Sequence, residues 1–170
     1  MQTTADMTAP QLREPSHRVS RRAVAFWAAR AAAGWIAVIA VEILVLVIGV
    51  HDIATWRYVT IGASGAVALA HVVLMPRWRY RVHRWETTPT AVYTQVGWFN
   101  QERRIAPASR IQTVDIHRGP LEQVFRLANV TVTTASAAGP LKIHGLDRAT
   151  AERLVDELTA VAHLSAGDAT

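Results

Sequence analysis

No cysteine occurs among the 170 residues. That absence excludes disulfide frameworks, thiolate zinc sites, thiol nucleophiles and iron–sulfur clusters, and it leaves the redox compartment open. Lysine is nearly missing as well, since 17 of the 18 basic residues are arginine and the other is Lys142. The formal charge of +5 therefore rests on guanidinium groups, which keep their proton and present a fixed planar fork to phosphate. Catalytic signatures are absent too. The seven histidines show no H-E-x-x-H or other metal spacing, and Ser109 and Ser136 lie in no G-x-S-x-G. Asp115 and Glu122 have no evident partner, and neither a P-loop nor a G-x-G-x-x-G occurs. These absences argue against an enzyme, a metal, a cofactor and a small-molecule substrate. A broad basic stripe with interleaved aromatics is also lacking, which argues against nucleic acid as a partner.

What is present in quantity is hydrophobicity, at 51% of the chain, and it is unevenly distributed. Residues 1–22 are rich in Thr, Pro, Gln and Arg without an apolar period, and read as a disordered tail. Residues 31–50 carry one charge, Glu42, and twenty helical residues span roughly the 30 Å hydrocarbon core. A second run, residues 58–75, holds no formal charge, and Pro76 is expected to stop it. Together they predict a two-span transmembrane hairpin over residues 23–76. A signal peptide fits less well, because the stretch is too long and no A-x-A site follows. Two buried soluble helices fit poorly too, since fewer than about a hundred remaining residues could hardly enclose them.

Arg13, Arg18, Arg21, Arg22 and Arg30 precede the first span, and Arg77, Arg79, Arg81 and Arg84 follow the second; only Arg57 lies between. The positive-inside rule then puts both termini in the cytoplasm, with residues 51–57 outside, in the inner or cytoplasmic membrane. Trp27, Trp35, Trp56, Tyr58, Trp78 and Tyr80 read as interfacial anchors.

From residue 77 to 163 the pattern predicts one β-rich cytoplasmic domain. Alternating runs at 91–96, 103–106, 111–116, 129–134 and 141–144 read as strands, with turns at 97–102, 119–120 and 139–140. Asp147 offers an N-cap, and Ala151, Leu154, Val155, Leu158, Val161 and Ala162 recur at helical spacing. Residues 164–170 read as a second disordered tail.

Three stretches carry a resemblance to a known family. Ile105-Ala106-Pro107-Ala108-Ser109-Arg110-Ile111-Gln112-Thr113-Val114 is similar to a recurring I-x-P-x-x-x-I-Q-x-V. Residues 118–135 (RGPLEQVFRLANVTVTTA) are similar to G-P-L-x-R-x-F-G-L-x-x-V-x-V-x-T-A, with Gln123 where Arg is frequent and Arg126 where Gly is frequent. Gly145-Leu146-Asp147 leads into a helix in the same way. Over roughly residues 25 to 162 the chain resembles the bacterial pleckstrin-homology-like membrane proteins of the YdbS group. The resemblance implies an antiparallel pleckstrin-homology-like β-barrel closed by a C-terminal helix, and a partner among related membrane proteins or copies of itself. It implies no particular activity.

Several residues stand out as candidates. If residues 77–83 are extended, Arg77, Arg79, Arg81 and His83 project from one face, with Arg84 beside them, as a cluster for anionic headgroups. Topology signalling explains the same residues. Glu42, roughly 12 Å inside the first span, lies level with Ser64 and far from the depth of His71. A bond to Ser64 or Thr60, or across an oligomer interface, accounts for it most simply. Small-residue stripes at Gly62, Ala66 and Ala70, and at Ala29, Ala33 and Ala37, suggest packing within the hairpin, with an oligomer contact as the second reading. Arg103, Arg104, Arg110 and Arg118 are candidates for a basic interaction surface on the domain. Asp156 and Glu157 read as a solvated helix face. The leading expectation is a non-enzymatic membrane protein that presents its domain for protein assembly. The alternatives are a transport or export accessory working through the hairpin and Glu42, and an anionic-lipid sensor.

Overall fold

A computed structural model describes residues 14–49, 54–97, 99–136 and 139–167. Residues 51–53 of the expected outer loop, the tail up to residue 13 and the last three residues lie outside the described residues, while residues 54–57 of that loop form the first turn of a helix. Two helices dominate the first half: α1 (Arg22–Ile48) and α2 (Ala54–Val82). Both are long and apolar enough to cross a membrane, and no residue of the apolar window of α1 is buried. Ile36, Val47, Ile48 and Leu69 point outward and are mostly exposed. A water-soluble protein cannot sustain so broad an apolar surface; a hydrocarbon solvent can.

The seam between the helices differs from the small-residue stripes. On α1 the partly covered Ala28, Ala32, Trp35, Ile39, Glu42 and Leu46 recur at alternating steps of four and three. Arg57, Ile61, Ser64, Ala68, His71 and Met75 follow the same rhythm on α2. This is the a/d spacing of a left-handed helix pair. Gly62, Ala66, Ala70, Ala33 and Ala37 face outward instead, and a methyl group added at Gly62 would meet nothing within 4 Å. Alanine is so frequent here that small-xxx-small matches arise on any face.

Pro76 does not end the second helix. It lies within α2 and is fully buried. Proline removes one backbone N–H and crowds the preceding turn, and transmembrane helices tolerate this where nearby donors satisfy the loosened carbonyls. Arg77 Nη1 donates to the Val73 carbonyl at 2.7 Å in that turn. The expected extended stretch at 77–83 is consequently helical as far as Val82.

The N-terminal segment also departs from expectation. From Glu14 onward it is ordered against the domain: β1 (His17–Arg18) pairs antiparallel with β2 (Arg84–Thr87). The Ser16 amide donates to Glu86 Oε2 at 3.0 Å, and Val19 is buried in the core. A first antiparallel sheet has the order β1-β2-β3-β4, with β3 (Ala91–Val96) and β4 (Glu102–Pro107). A second has the order β5-β6-β7, comprising β5 (Ile111–His117), β6 (Leu127–Thr134) and β7 (Leu141–Asp147). Among the described residues the ladder does not run from one sheet into the other, so the expected closed barrel is replaced by two sheets around one core.

The two sequence motifs are the corners of this arrangement. Pro107, without an N–H for the ladder, ends β4. A single 3₁₀ turn, Ala108–Arg110, then tucks Ala108 into the interior and redirects the chain into β5. In the second motif Pro120 opens α3 (Pro120–Val124) at its first turn, where no N–H is needed. Arg126 then reverses the chain into β6 with φ of 54°, a left-handed conformation that costs a side chain roughly 1–2 kcal/mol. Arg126→Gly is expected to stabilise the protein by about 0.5–1 kcal/mol after glycine's own entropy is counted. Its thermal midpoint in detergent should rise by roughly 2–4 °C.

The core joins everything. Leu127, Val130 and Val132 of β6, Ile143 and Leu146 of β7, and Val92 of β3 are fully buried beside Ala151, Leu154 and Leu158 of α4 (Arg148–Gly167). Asp147 Oδ1 accepts the Ala149 amide at 3.3 Å at the start of α4, and this helix continues beyond residue 163, through the expected tail, to Gly167. The first turns of α1 belong to the same core: Ala23, Phe26 and Trp27 are buried within it. Hairpin and domain are therefore packed as one body.

Candidate functional site

Because residues 77–82 are helical, the expected arginine cluster is divided. Arg77 and Arg81, one turn apart, share a face of α2 with Leu74 and Trp78, and Phe99 from the β3–β4 turn comes up beside them. These residues enclose an apolar concavity of about 630 Å³ with two arginines at its rim. Arg79 turns the other way, its guanidinium 4.5 Å from the centre of the Trp27 ring on α1. Arg84 begins β2 and pairs with Glu14 at 3.4 Å. An alternating basic and aromatic run fits a strand, but with Pro76 absorbed it continues the helix, and i, i+4 neighbours replace i, i+2 neighbours.

Glu42 and Ser64 face each other in the helix seam, with Ser64 Oγ donating to Glu42 Oε1 at 2.7 Å. The other oxygen, Oε2, is buried without a hydrogen-bond partner among the described residues. Thr60 instead bonds its own helix at the Arg57 carbonyl. Two steps of the seam nearer the domain, Trp35 Nε1 donates to His71 Nδ1 at 2.9 Å.

Arg103, Arg104, Arg110 and Arg118 do not form one surface. Arg103 pairs with Glu14 at 3.5 Å. Arg104 donates to the carbonyls of Pro140 and Gly139 at 2.8 and 3.2 Å, tying β4 to the β6–β7 turn. Arg110 is exposed on the 3₁₀ turn. Arg118 donates to the Leu127 carbonyl at 3.4 Å and shares a shallow recess with Arg22, Arg126, Arg148, Asp147 and Glu152. Two of those arginines are already paired, Arg22 with Asp147 at 2.8 Å and Arg148 with Glu152 at 2.7 Å. Exposed pairs of this kind are screened by solvent and contribute little to stability.

A different site forms where the hairpin meets the domain. Trp27, Arg30 and Ala31 of α1, His71, Met75 and Arg79 of α2, and Glu122, Asn129 and His144 of the domain line a cavity of about 510 Å³. The Asn129 amide holds the far wall, donating to Glu122 Oε1 at 3.3 Å and accepting the Gly145 N–H at 3.0 Å. Sequence reasoning missed this cavity, although Ala23, Phe26, Trp27 and Arg30 stand at i, i+3, i+4 and i+7. That face was hidden because its neighbours are equally apolar. Phe26 and Trp27 are buried in the core, not interfacial. Among the described residues no three His, Asp or Glu side chains gather as a metal site.

Next to the cavity, His83 is almost fully buried. Its Nδ1 lies 2.9 Å from the Arg79 carbonyl and its Nε2 accepts from Arg79 Nε at 3.4 Å. Both bonds are satisfied when the proton sits on Nδ1. A second proton would be buried and face a guanidinium. Burial first, and the Arg79 charge second, hold the imidazole at about 4 against an ordinary 6.5. His144 is lowered for the same reasons. Above pH 6.5 both folded and unfolded chains keep these rings neutral. Below it the unfolded chain takes up protons that the folded one refuses, so stability falls as pH drops from 6.5 toward 4. The thermal midpoint is expected to decline over that interval, and His83→Gln should flatten the decline.

Comparison with known proteins agrees with this architecture. The sequence profile described as Bacterial PH domain matches residues 23–162. The chain is also 32% identical over 117 residues to UPF0699 transmembrane protein YdbS of Bacillus subtilis (strain 168), covering 66% of this chain and 72% of that protein. No solved structure matches it. The matched region runs from the first turn of α1 through the hairpin and strands β2 to β7 into α4, and so takes in the core residues from Ala23 onward: the chain is a transmembrane protein that belongs to the bacterial PH domain family.

Proposed function

We propose that this chain is a non-enzymatic platform that holds its PH-like module against the cytoplasmic leaflet of the inner or cytoplasmic membrane for assembly with another protein. The observation that carries the reading is the free margin of the second sheet. Strand β5 ends that sheet without a partner strand among the described residues, and five of its seven residues are exposed. In the β5–β6 connection, at the end of that strand, α3 presents Leu121 and Val124, the latter 76% exposed. An open edge with an exposed apolar turn at its end suits an added strand or extended segment, with backbone bonds giving affinity and side-chain contacts giving specificity.

The buried junction supports the same reading. Trp27 and Phe26 lock the module to the hairpin, so the β5–α3 margin keeps one orientation toward the bilayer and meets membrane-bound partners at high effective concentration. Orientation follows the arginines, which flank the domain end of both helices while Arg57 stands alone at the other. A related PH-like membrane protein or a second copy of the chain is the partner class favoured. The test is a pair of charge insertions, Leu121→Glu and Val124→Glu, in the full-length protein. Both positions are outside the core, so folding and membrane insertion should persist while recovery of the crosslinked partner falls at least about tenfold. Unchanged recovery would contradict the assignment of this margin.

A further inference from the structure

The cavity between hairpin and domain has a chemistry that the platform does not use. We propose that it is a binding site for the phosphate group of an anionic ligand, held by Arg30 and Arg79. The two guanidiniums come from different helices and converge on one space of about 510 Å³, a size usual for small-ligand sites. Among the described residues neither takes part in an ion pair. The flat face of Arg79 rests on Trp27 and its Nε is directed to His83; the terminal nitrogens make no hydrogen bond among the described residues. Arg30 stands directly before the apolar run 31–50, at the exposed mouth of the cavity where the hairpin leaves the domain.

Glu122 is the acidic group on the lining, and Asn129 holds its Oε1 on the domain wall. Two cations against one carboxylate leave the cavity with an excess positive charge. Planar guanidinium forks match phosphate oxygens geometrically as well as electrostatically. His71 and His144 add polar nitrogens, while Ala31, Met75, Phe26 and Leu127 give the remaining wall an apolar character. A phosphate bearing an apolar portion suits such a mixed lining. The phosphate could be that of a phospholipid entering from the leaflet or of a free anion arriving from the aqueous side.

The test uses the full-length protein in neutral detergent, with thermal stability as the readout and two probes: inorganic phosphate, and phosphatidylglycerol added in mixed micelles. Saturable stabilisation by phosphatidylglycerol alone supports the site with a lipid source; saturable stabilisation by inorganic phosphate as well supports it with a soluble one. In either case Arg30→Gln should raise the half-saturating concentration at least about tenfold. Arg79→Gln should do the same, and because Arg79 also packs on Trp27, the exposed Arg30 decides if that variant fails to fold. Stabilisation by neither probe overturns the proposal. So does a loss confined to the Arg77→Gln/Arg81→Gln double variant, which would place the attraction on the outer face of α2.

Discussion

Trp27→Ala is expected to cost the full-length protein about 3–5 kcal/mol and to uncouple the domain from the membrane hairpin. Trp27 is 4% exposed, within the core shared by α1 and both sheets. Its ring lies 5.2 Å from that of His83 and carries the Arg79 guanidinium on its face. Truncation leaves a cavity where helix, sheet and the buried His83 meet, and it strips the stacking partner from a half-buried cation. The apolar spans remain intact, so insertion should survive. The thermal midpoint should fall by roughly 10 °C, and proteolysis near the end of α2 should quicken. Trp78, on the outer face of the same helix end and 52% exposed, is the internal comparison: Trp78→Ala should cost less than about 1 kcal/mol. Equal effects from the two substitutions would mean that Trp27 acts as an interfacial anchor and not as a core residue.

The second large effect is expected at Gly145. Here φ is +74°, and a Cβ would come 2.9 Å from the Cβ of Ala23 and 3.6 Å from Trp27 Cζ2. The Gly145 carbonyl also accepts the Ser20 amide at 2.9 Å as the chain enters α1. Gly145→Ala thus combines a left-handed backbone cost with a clash against a methyl group that cannot swing aside, together about 2–4 kcal/mol. The two parts can be separated. Ala23→Gly in the same chain removes the clash but not the φ cost, so the double variant should recover about 1–2 kcal/mol relative to the sum of the singles. Strict additivity would show that β7 and α1 do not approach as closely as described.

These residues also show what could be read from the sequence. Strands β3 to β7 are legible because apolar and polar residues alternate and turn residues such as Gly97, Pro107, Gly119 and Gly139 punctuate the segment, and α4 because Ala151, Leu154 and Leu158 repeat at helical spacing. The two spans were legible from length and lack of charge. Strands β1 and β2 were not, since a two-residue strand in a polar segment has no period, and β2 adjoins an arginine-rich helix end that alternates by chance. Pro76 predicts a stop because a proline interrupts a soluble helix; in a membrane helix its missing bond is tolerated. The cavity was the hardest feature. Arg30 and Arg79 are 49 positions apart, and their convergence depends on the a/d seam that sets the helix register. Glu42 opposite Ser64 was accessible from depth alone, because helical rise fixes level without knowledge of rotation.

Arg126 shows the same logic at a single residue. The resemblance marks it as a departure from glycine, and the left-handed φ explains why glycine suits that corner. The chain tolerates the arginine at a small cost, one that does not alter the path from α3 into β6.

Crosslinking and co-purification of the full-length protein from its native membrane, with the crosslinked sites mapped by mass spectrometry, tests the platform most directly. The account predicts a defined partner, a related membrane protein or a second copy, with crosslinks concentrated on β5 and α3 and lost in Val124→Glu. A strictly monomeric protein with no crosslinks to residues 111–124 would contradict it.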